Sequence, residues 1–396
     1  MSTSQSTVSK QPQNMVVSMV AAVAVAHLLN DLIQAVLPAI YPMLKADFNL
    51  SFAQIGLISL VYQLTASLLQ PCVGLYTDKR PLPYLLPIGM SVTLVGIALL
   101  AVAHHFSVLL ISAMLIGIGS STFHPEASRV ARMASGGRFG TAQSAFQVGG
   151  NSGSAVGPLL AAAIVVPSGQ SAVAWFMGFA LFAIVLLTKV SQWVVRQTQQ
   201  ASKSTQPKLQ GLKGLTLYRA LGVIALLMLV KFTYIASMTN YYTFYLIQRF
   251  DLALQQAQLY LFVFLAAVAL GTFMGGPIGD RIGRKAVIWV SFLGIIPFAL
   301  ALPYMNLTWT VILSLIIGFI ISSAFSAMVV YAQEAVPGRV GLVSGLMFGV
   351  MFGIGGIAAA GLGMLADQYG IVLVYQLCAY LPLLGLMTVF LPKHQH

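Results

Sequence analysis

The chain has 396 residues and a formal net charge of +12, yet 58% of it is hydrophobic and only 7% is Asp, Glu, Lys or Arg. With a mean hydropathy of +0.89, this composition excludes a soluble globular domain. The few basic residues cluster at the ends of apolar runs, so the positive charge excludes a nucleic-acid binder and points to membrane orientation.

Residues 1–14 form a polar tail. They lack the short apolar core and the small-residue cleavage site of a removable leader. Twelve apolar runs follow, near 15–41, 52–77, 83–103, 106–133, 139–166, 171–194, 219–247, 254–278, 285–304, 307–335, 340–366 and 370–391. Each approaches the ~20 residues that a helix needs to cross a hydrocarbon core of ~30 Å. Ten-residue segments of alternating polarity are absent, which disfavours a β-barrel. The expected fold class is an all-α membrane protein with twelve transmembrane helices.

The stretch 195–218, VRQTQQASKSTQPKLQGLKGLTLY, is the long polar segment in the interior of the sequence. It reads as a cytoplasmic linker between a six-helix bundle over 15–194 and a second over 219–391, with 392–396 as a cytoplasmic tail. Placing both termini inside puts the Lys and Arg residues on cytoplasmic ends and loops. Lys45 and Arg249 fall outside, and Lys231 falls within a span. This is the positive-inside asymmetry, and it sets the expected orientation in a bacterial inner membrane. Cys72 and Cys378 both lie in spans, so no disulfide framework is implied.

In the first span, Asp31 sits mid-helix with His27 one turn away and Asn30 and Gln34 nearby. A polar face this dense on a membrane helix either looks into a cavity or hydrogen-bonds neighbouring helices. The fourth span carries His124, Pro125, Glu126 and Arg129. Glu126 and Arg129 are three residues apart and share a helix face. Their pair is either a static lock or a site that exchanges a proton when the arginine moves away. Gln147 and Asn151 place further polar groups on the fifth span. Lys231 in the seventh span either faces a cavity with Tyr234 or snorkels toward the cytoplasm. Asp31 and Glu126 are thus the candidate proton-coupling residues. His27, Asn30, Gln34, His124, Arg129, Gln147, Asn151, Lys231 and Tyr234 are candidate substrate contacts. No Cys or His spacing indicates a metal site, and no cofactor motif is present.

The two halves repeat. Residues 115–140 lie over 316–341 at an offset of 201, pairing Gly117 with Gly318, Ser121 with Ser322 and Gly140 with Gly341. GLYTDK (74–79) lies over GPIGDR (276–281) at an offset of 202, and Asp47 lies over Asp251 at 204. Internal repeats with a substrate site at their interface are a transporter signature.

GGPIGDRIGRK (275–285) resembles the loop motif G-x-x-x-D-R-x-G-R-K of the major facilitator superfamily, with GLYTDKRP (74–81) as its degraded counterpart. In the fifth span, SAFQVGGNSGSAVGPLLAA (144–162) resembles the antiporter motif of that superfamily's proton-coupled drug exporters at Gly153, Gly157 and Pro158. It departs from that motif at Ser144, Ala161 and Ala162. HLLND (27–31), FHPEASRVARMASGGR (123–138) and YYTFYL (241–246) are similar to the bacterial fosmidomycin-resistance family over nearly the whole chain. The resemblance implies two six-helix halves related by a pseudo-twofold axis and a monomeric exporter of a small anionic phosphonate working by proton antiport. It also implies that Asp78, Lys79, Asp280, Arg281 and Arg284 of the loop motifs gate the conformation. Arg284 is expected to pair with Glu334, which the repeat places at the same level.

A proton-independent uniporter or importer of anions would share the fold, with Arg129, Lys231 and His27 holding the anion. A membrane-embedded enzyme built on His124 and Glu126 lacks an accompanying nucleophile, ligand set or cofactor motif. An ATP-driven pump lacks a phosphate-cradling loop.

Overall fold

The computed structural model describes residues 14–50, 52–201, 211–252 and 254–392. The two polar tails up to residue 13 and from 393, and the linker core 202–210, lie outside the described residues. Among the described residues every regular element is helical.

The first half comprises span 1 (Val17–Ala39), span 2 (Phe52–Lys79), span 3 (Leu85–Ala101), span 4 (Phe106–Ala134), span 5 (Phe139–Leu160) and span 6 (Phe176–Ala201). The second comprises span 7 (Gly214–Phe250), span 8 (Leu254–Ile282), span 9 (Arg284–Leu293), span 10 (Leu307–Ser322, then Ala324–Ala335), span 11 (Val340–Tyr369) and span 12 (Ile371–Cys378). Span 9 breaks at Gly294 and resumes as Ile296–Ala301, where Pro297 occupies the first turn and lacks an N–H to continue the ladder. Span 12 continues past Cys378 as a 3-10 stretch, Leu381–Phe390, with Pro382 in its first turn.

The polar linker is shorter than its composition implies. Span 6 continues to Ala201 and span 7 starts at Gly214, so both ends of 195–218 are helical extensions. Span 7 has 37 residues, about 55 Å at ~1.5 Å per residue, and therefore projects beyond a ~30 Å hydrocarbon layer. Large apolar side chains such as Leu68, Leu159, Phe262, Leu270 and Ile357 are exposed on the outside of the bundle. Contiguous apolar surface of this kind is what a lipid-facing wall requires.

The halves meet through spans 2 and 11 and through spans 5 and 8, with span 4 also against span 11. The contacts obey the repeat. A methyl group on Gly74 would lie 2.1 Å from the Gly341 carbonyl oxygen, and one on Gly140 would lie 2.6 Å from that of Gly276. Gly74 and Gly276 are repeat mates, as are Gly140 and Gly341, so one contact is the pseudo-twofold image of the other. All four glycines lie at the end of the bundle that carries both termini. Farther along span 11, side chains added at Gly353, Gly356 and Gly361 would meet open space. The halves are therefore in close backbone contact at the terminus-bearing end.

Candidate functional site

A cavity of about 130 Å³ lies between the halves. Its N-half wall is His27 and Asp31 from span 1 and Gln147, Asn151 and Ser154 from span 5. Its C-half wall is Lys231, Phe232 and Ile235 from span 7, Val268 and Thr272 from span 8, Ser322 and Phe325 from span 10, and Met351 from span 11. The spacing of Lys231 and Ile235, and of His27 and Asp31, is one helical turn, which brings each pair to one face.

Span 1 reaches this wall because span 5 lets it approach closely. A methyl on Gly149 would lie 2.0 Å from the Ala24 carbonyl oxygen, one on Gly153 2.1 Å from that of Leu28, and one on Gly157 2.5 Å from that of Leu32. The antiporter-motif glycines thus form the groove that seats span 1 and sets the depth of Asp31. Pro158 lies inside span 5 and leaves the Ser154 carbonyl without its helical donor, and a π-turn at Ala161–Val165 follows.

Asp31 lies between two imidazoles. Its Oδ2 is 3.3 Å from His27 Nε2 and its Oδ1 is 3.5 Å from His124 Nε2. The far nitrogens face main-chain oxygens: His27 Nδ1 is 2.7 Å from Phe146 O, and His124 Nδ1 is 3.3 Å from Ser120 O. A carbonyl only accepts, so both Nδ1 atoms carry hydrogen and both Nε2 atoms point toward the carboxylate. Asn30 donates to Asp31 Oδ1 at 3.0 Å. Beneath this group an aromatic floor spans both halves. Phe348 packs 5.2 Å from His124, 6.0 Å from Phe146 and 5.4 Å from Phe325 between ring centroids.

Lys231 is 3% exposed, and its Nζ lies 3.4 Å from the Ser322 carbonyl oxygen. Phe232 and Phe325 present their rings at 5.5 and 5.3 Å from it. No carboxylate pairs with it among the described residues, so this is a desolvated amine in polar contact with a carbonyl. A repeat offset of 204, the one that relates Asp47 to Asp251, makes Lys231 the mate of His27.

The terminus-bearing end is locked by two related clamps. Asp78 accepts from Gly341 N at 2.9 Å and Leu342 N at 2.8 Å, at the start of span 11. Asp280 accepts from Gly140 N at 2.9 Å, and from Thr141 N and Thr141 Oγ1 at 2.7 Å, at the start of span 5. Each carboxylate sits on the positive N-terminus of a helix in the other half. Arginines hold them in place: Arg129 Nη2 is 2.6 Å from Asp78, and Arg284 Nη2 is 3.1 Å from Asp280 and 3.3 Å from Glu334. Between the clamps, Arg132 donates to Gln333 at 3.1 Å, and Gln333 donates to Ser344 at 2.9 Å and Ser128 at 3.2 Å.

Several expectations from the sequence are corrected by these positions. Glu126 and Arg129 do pair, at 3.3 Å, but they do so in the Asp78 clamp and not at the cavity. Arg129 also donates to Thr77 Oγ1 at 3.0 Å, which saturates its fork away from any guest. Asn30, Gln34 and His124 are buried behind the cavity wall. Gln34 accepts from Tyr62 at 2.7 Å and from Ser120 at 3.0 Å, inside the N-half. Tyr234 is buried in the C-half core with Tyr242 and Tyr375 and does not line the cavity. Asp78, Lys79, Asp280 and Arg281 belong to the last turns of spans 2 and 8, not to loops. Lys79 and Arg281 are exposed and make no ion pair among the described residues. The spacing of His and Cys in the sequence indicates no metal site, yet His27, Asp31 and His124 converge in space with ligand atoms within 4.8 Å of one another. Sequence reasoning also missed Phe348 and Phe146, whose apolar character is no signal on a membrane helix. Phe348 is the repeat mate of Gln147, and that alignment could have flagged it.

The family profile described as Major Facilitator Superfamily matches residues 23–360. The chain is 56% identical over 378 residues to the fosmidomycin resistance protein of Escherichia coli (strain K12), covering 95% of this chain and 93% of that one. It is 41% identical over 390 residues to YfnC, an uncharacterized MFS-type transporter of Bacillus subtilis (strain 168), covering 98% and 95%. Among solved structures it superposes on the E. coli fucose:proton symporter FucP with a TM-score of 0.72 at 13% identity, covering 96% of this chain and 98% of that one. It superposes on the human organic anion transporter MFSD10 (TETRAN) with a TM-score of 0.73 at 16% identity, covering 97% and 100%. With that match over most of its length, two halves closed on a shared cavity, and a relative sharing more than half its residues, the chain belongs to the major facilitator superfamily of membrane transporters.

Proposed function

We propose that this transporter exports a small anionic solute of the phosphonate class from the bacterial cytoplasm across the inner membrane, in exchange for protons. Both termini, and therefore the clamped end, lie in the cytoplasm. With the clamps made, this state is closed to the cytoplasm, one of the states an alternating-access cycle needs.

The observation that carries the reading is Lys231. A buried cation facing a cavity without a carboxylate partner is costly, and an anionic guest supplies what is missing. The resistance named for the Escherichia coli relative supports fosmidomycin as the probe. Asp31, exposed to the cavity and embraced by two imidazoles, carries the exchanged proton. Glu126 competes with Asp78 for Arg129, and so links a second carboxylate to the state of the gate.

The test uses everted vesicles holding the purified protein and an acidic lumen. Labelled fosmidomycin should accumulate while the lumen becomes more alkaline, and Asp31→Asn and Lys231→Ala should each abolish both signals. Accumulation that proceeds equally without a pH gradient, and leaves lumenal pH unchanged, would instead establish a proton-independent uniporter.

A further inference from the structure

Asp31 poses a difficulty for an anionic guest. It brings a negative charge to the wall of the same cavity as Lys231, and the imidazoles beside it are neutral when each holds hydrogen only on Nδ1. Unprotonated, the N-half wall carries a charge that repels a phosphonate.

We infer that His27, Asp31 and His124 form a binding site for one divalent transition-metal ion of the zinc type, with a vacant coordination position toward the cavity. Three donors from two helices converge here, all buried and all within 4.8 Å of one another. Two ligands bonded to one ion at about 2.1 Å, and about 109° apart, lie about 3.4 Å from each other. The separations from Asp31, one from each carboxylate oxygen, are 3.3 Å to His27 (Oδ2) and 3.5 Å to His124 (Oδ1), as when the carboxylate faces the ion with both oxygens.

The outer groups fit the same use. Ligating histidines characteristically donate their other ring N–H to a main-chain carbonyl, which fixes the tautomer and aims the lone pair. Phe146 O and Ser120 O do this for His27 and His124, and Asn30 Nδ2 holds the carboxylate. Nothing larger than glycine fits opposite: a methyl on Gly150 would lie 2.4 Å from His27 Nε2 and 2.8 Å from Asp31 Oδ2. Two imidazoles and one carboxylate suit zinc or cobalt better than magnesium or calcium, which prefer all-oxygen shells.

A divalent ion would change the local charge from negative to positive, and because a ligating carboxylate is deprotonated, the ion and the exchanged proton would occupy Asp31 in turn. The open position would then take an oxygen of the guest, whose opposite end meets Lys231. This part of the inference rests on the proposed anionic cargo and adds that the cargo travels in contact with, or chelated to, a metal. The ion site itself does not depend on the cargo.

The experiment is cobalt and zinc binding to tag-free, chelator-stripped protein in detergent, with no phosphonate present. Expected is one Co²⁺ per chain with visible d–d absorption, displaced by Zn²⁺ but not by Mg²⁺. His124→Ala and Asp31→Asn should each weaken binding by at least about tenfold. Lys231→Ala, across the cavity, should leave it unchanged. X-ray absorption at the zinc edge of the wild-type protein should show two imidazoles and oxygen, a readout that needs no variant to fold. The site is refuted if Co²⁺ is not retained, if retention is equal in a folded His27→Ala/His124→Ala variant, or if the zinc shell lacks imidazole. Loss of export with metal binding intact would strike the transport reading alone.

Discussion

Replacing Asp280 with asparagine should release the clamp on span 5 and shift the conformational balance. Asp280 accepts three hydrogen bonds from the other half, from Gly140 N, Thr141 N and Thr141 Oγ1, at 2.7 to 2.9 Å. Bonds to a charged acceptor contribute about 1.5–3 kcal/mol each, and a carboxylate on a helix N-terminus about 0.3–1 kcal/mol more. Asparagine keeps one acceptor oxygen but turns an NH₂ group toward a backbone N–H, so it forfeits at least one backbone bond and the charge. The loss is about 2–4 kcal/mol. These three donors, unlike Arg284, lie across the interface, so their energy belongs to the clamped state and vanishes when that end opens. At about 1.4 kcal/mol per tenfold, the ratio of clamped to open molecules should fall by about 30- to 700-fold. The assay is a spin-label distance between cysteines introduced at the exposed repeat mates Arg138 and Arg339, in a background from which Cys72 and Cys378 have been removed. A new population at longer distance is expected, and more of it when Asp78→Asn is added. A distance distribution identical to the parent in the double variant would refute the clamp as the determinant of this state.

Arg129→Lys should act on the gate, because an ammonium cannot reach Asp78, Thr77 and Glu126 together as the guanidinium does. Turnover should drop by about tenfold while half-saturation by fosmidomycin changes less than about twofold, and the reverse split would place Arg129 at the substrate. Gly153→Val should cost about 1–3 kcal/mol of stability by overpacking against Leu28. A melting temperature equal to the parent would show that span 1 is not seated in this groove. Phe348→Ala removes a ring whose truncation typically costs about 3–5 kcal/mol and opens the aromatic floor beneath the His27, Asp31 and His124 group. Liposomes holding that variant should leak protons without substrate, and a leak no faster than the parent's would count against the floor.

The helices were legible because lipid demands long apolar runs, and the repeat because loop glycines and acids recur at nearly constant offsets. The pairing of Arg284 with Glu334 followed from the repeat alone. What the sequence hid was direction. Glu126 and Asp31 are both mid-helix acids, yet one faces the gate and the other the cavity, and that depends on the rotation of spans 4 and 1. Asn30 and Gln34 read as cavity residues because polar groups on a membrane helix must find partners, but Tyr62, Ser120 and Asp31 supplied them inside the bundle. The convergence of His124 on His27 and Asp31 joins residues about a hundred positions apart, which local spacing does not encode. It follows from the glycine groove that seats span 1.

The molecule is symmetric at its gate and asymmetric at its centre, and the proposed cycle needs both. Gly74 against Gly341 mirrors Gly276 against Gly140, and Asp78 on span 11 mirrors Asp280 on span 5. Equivalent clamps open together when one half rocks on the other. At the cavity the repeat mates diverge: His27 faces Lys231, Phe325 stands where the N-half has His124, and Phe348 where it has Gln147. A guest held by one half alone would bind both conformations equally and shift neither. A guest whose one end meets Lys231 and whose other end meets the His27 and Asp31 wall touches both halves at once. Its affinity then depends on how far apart the halves stand, and that dependence is the only means by which binding can drive the gate.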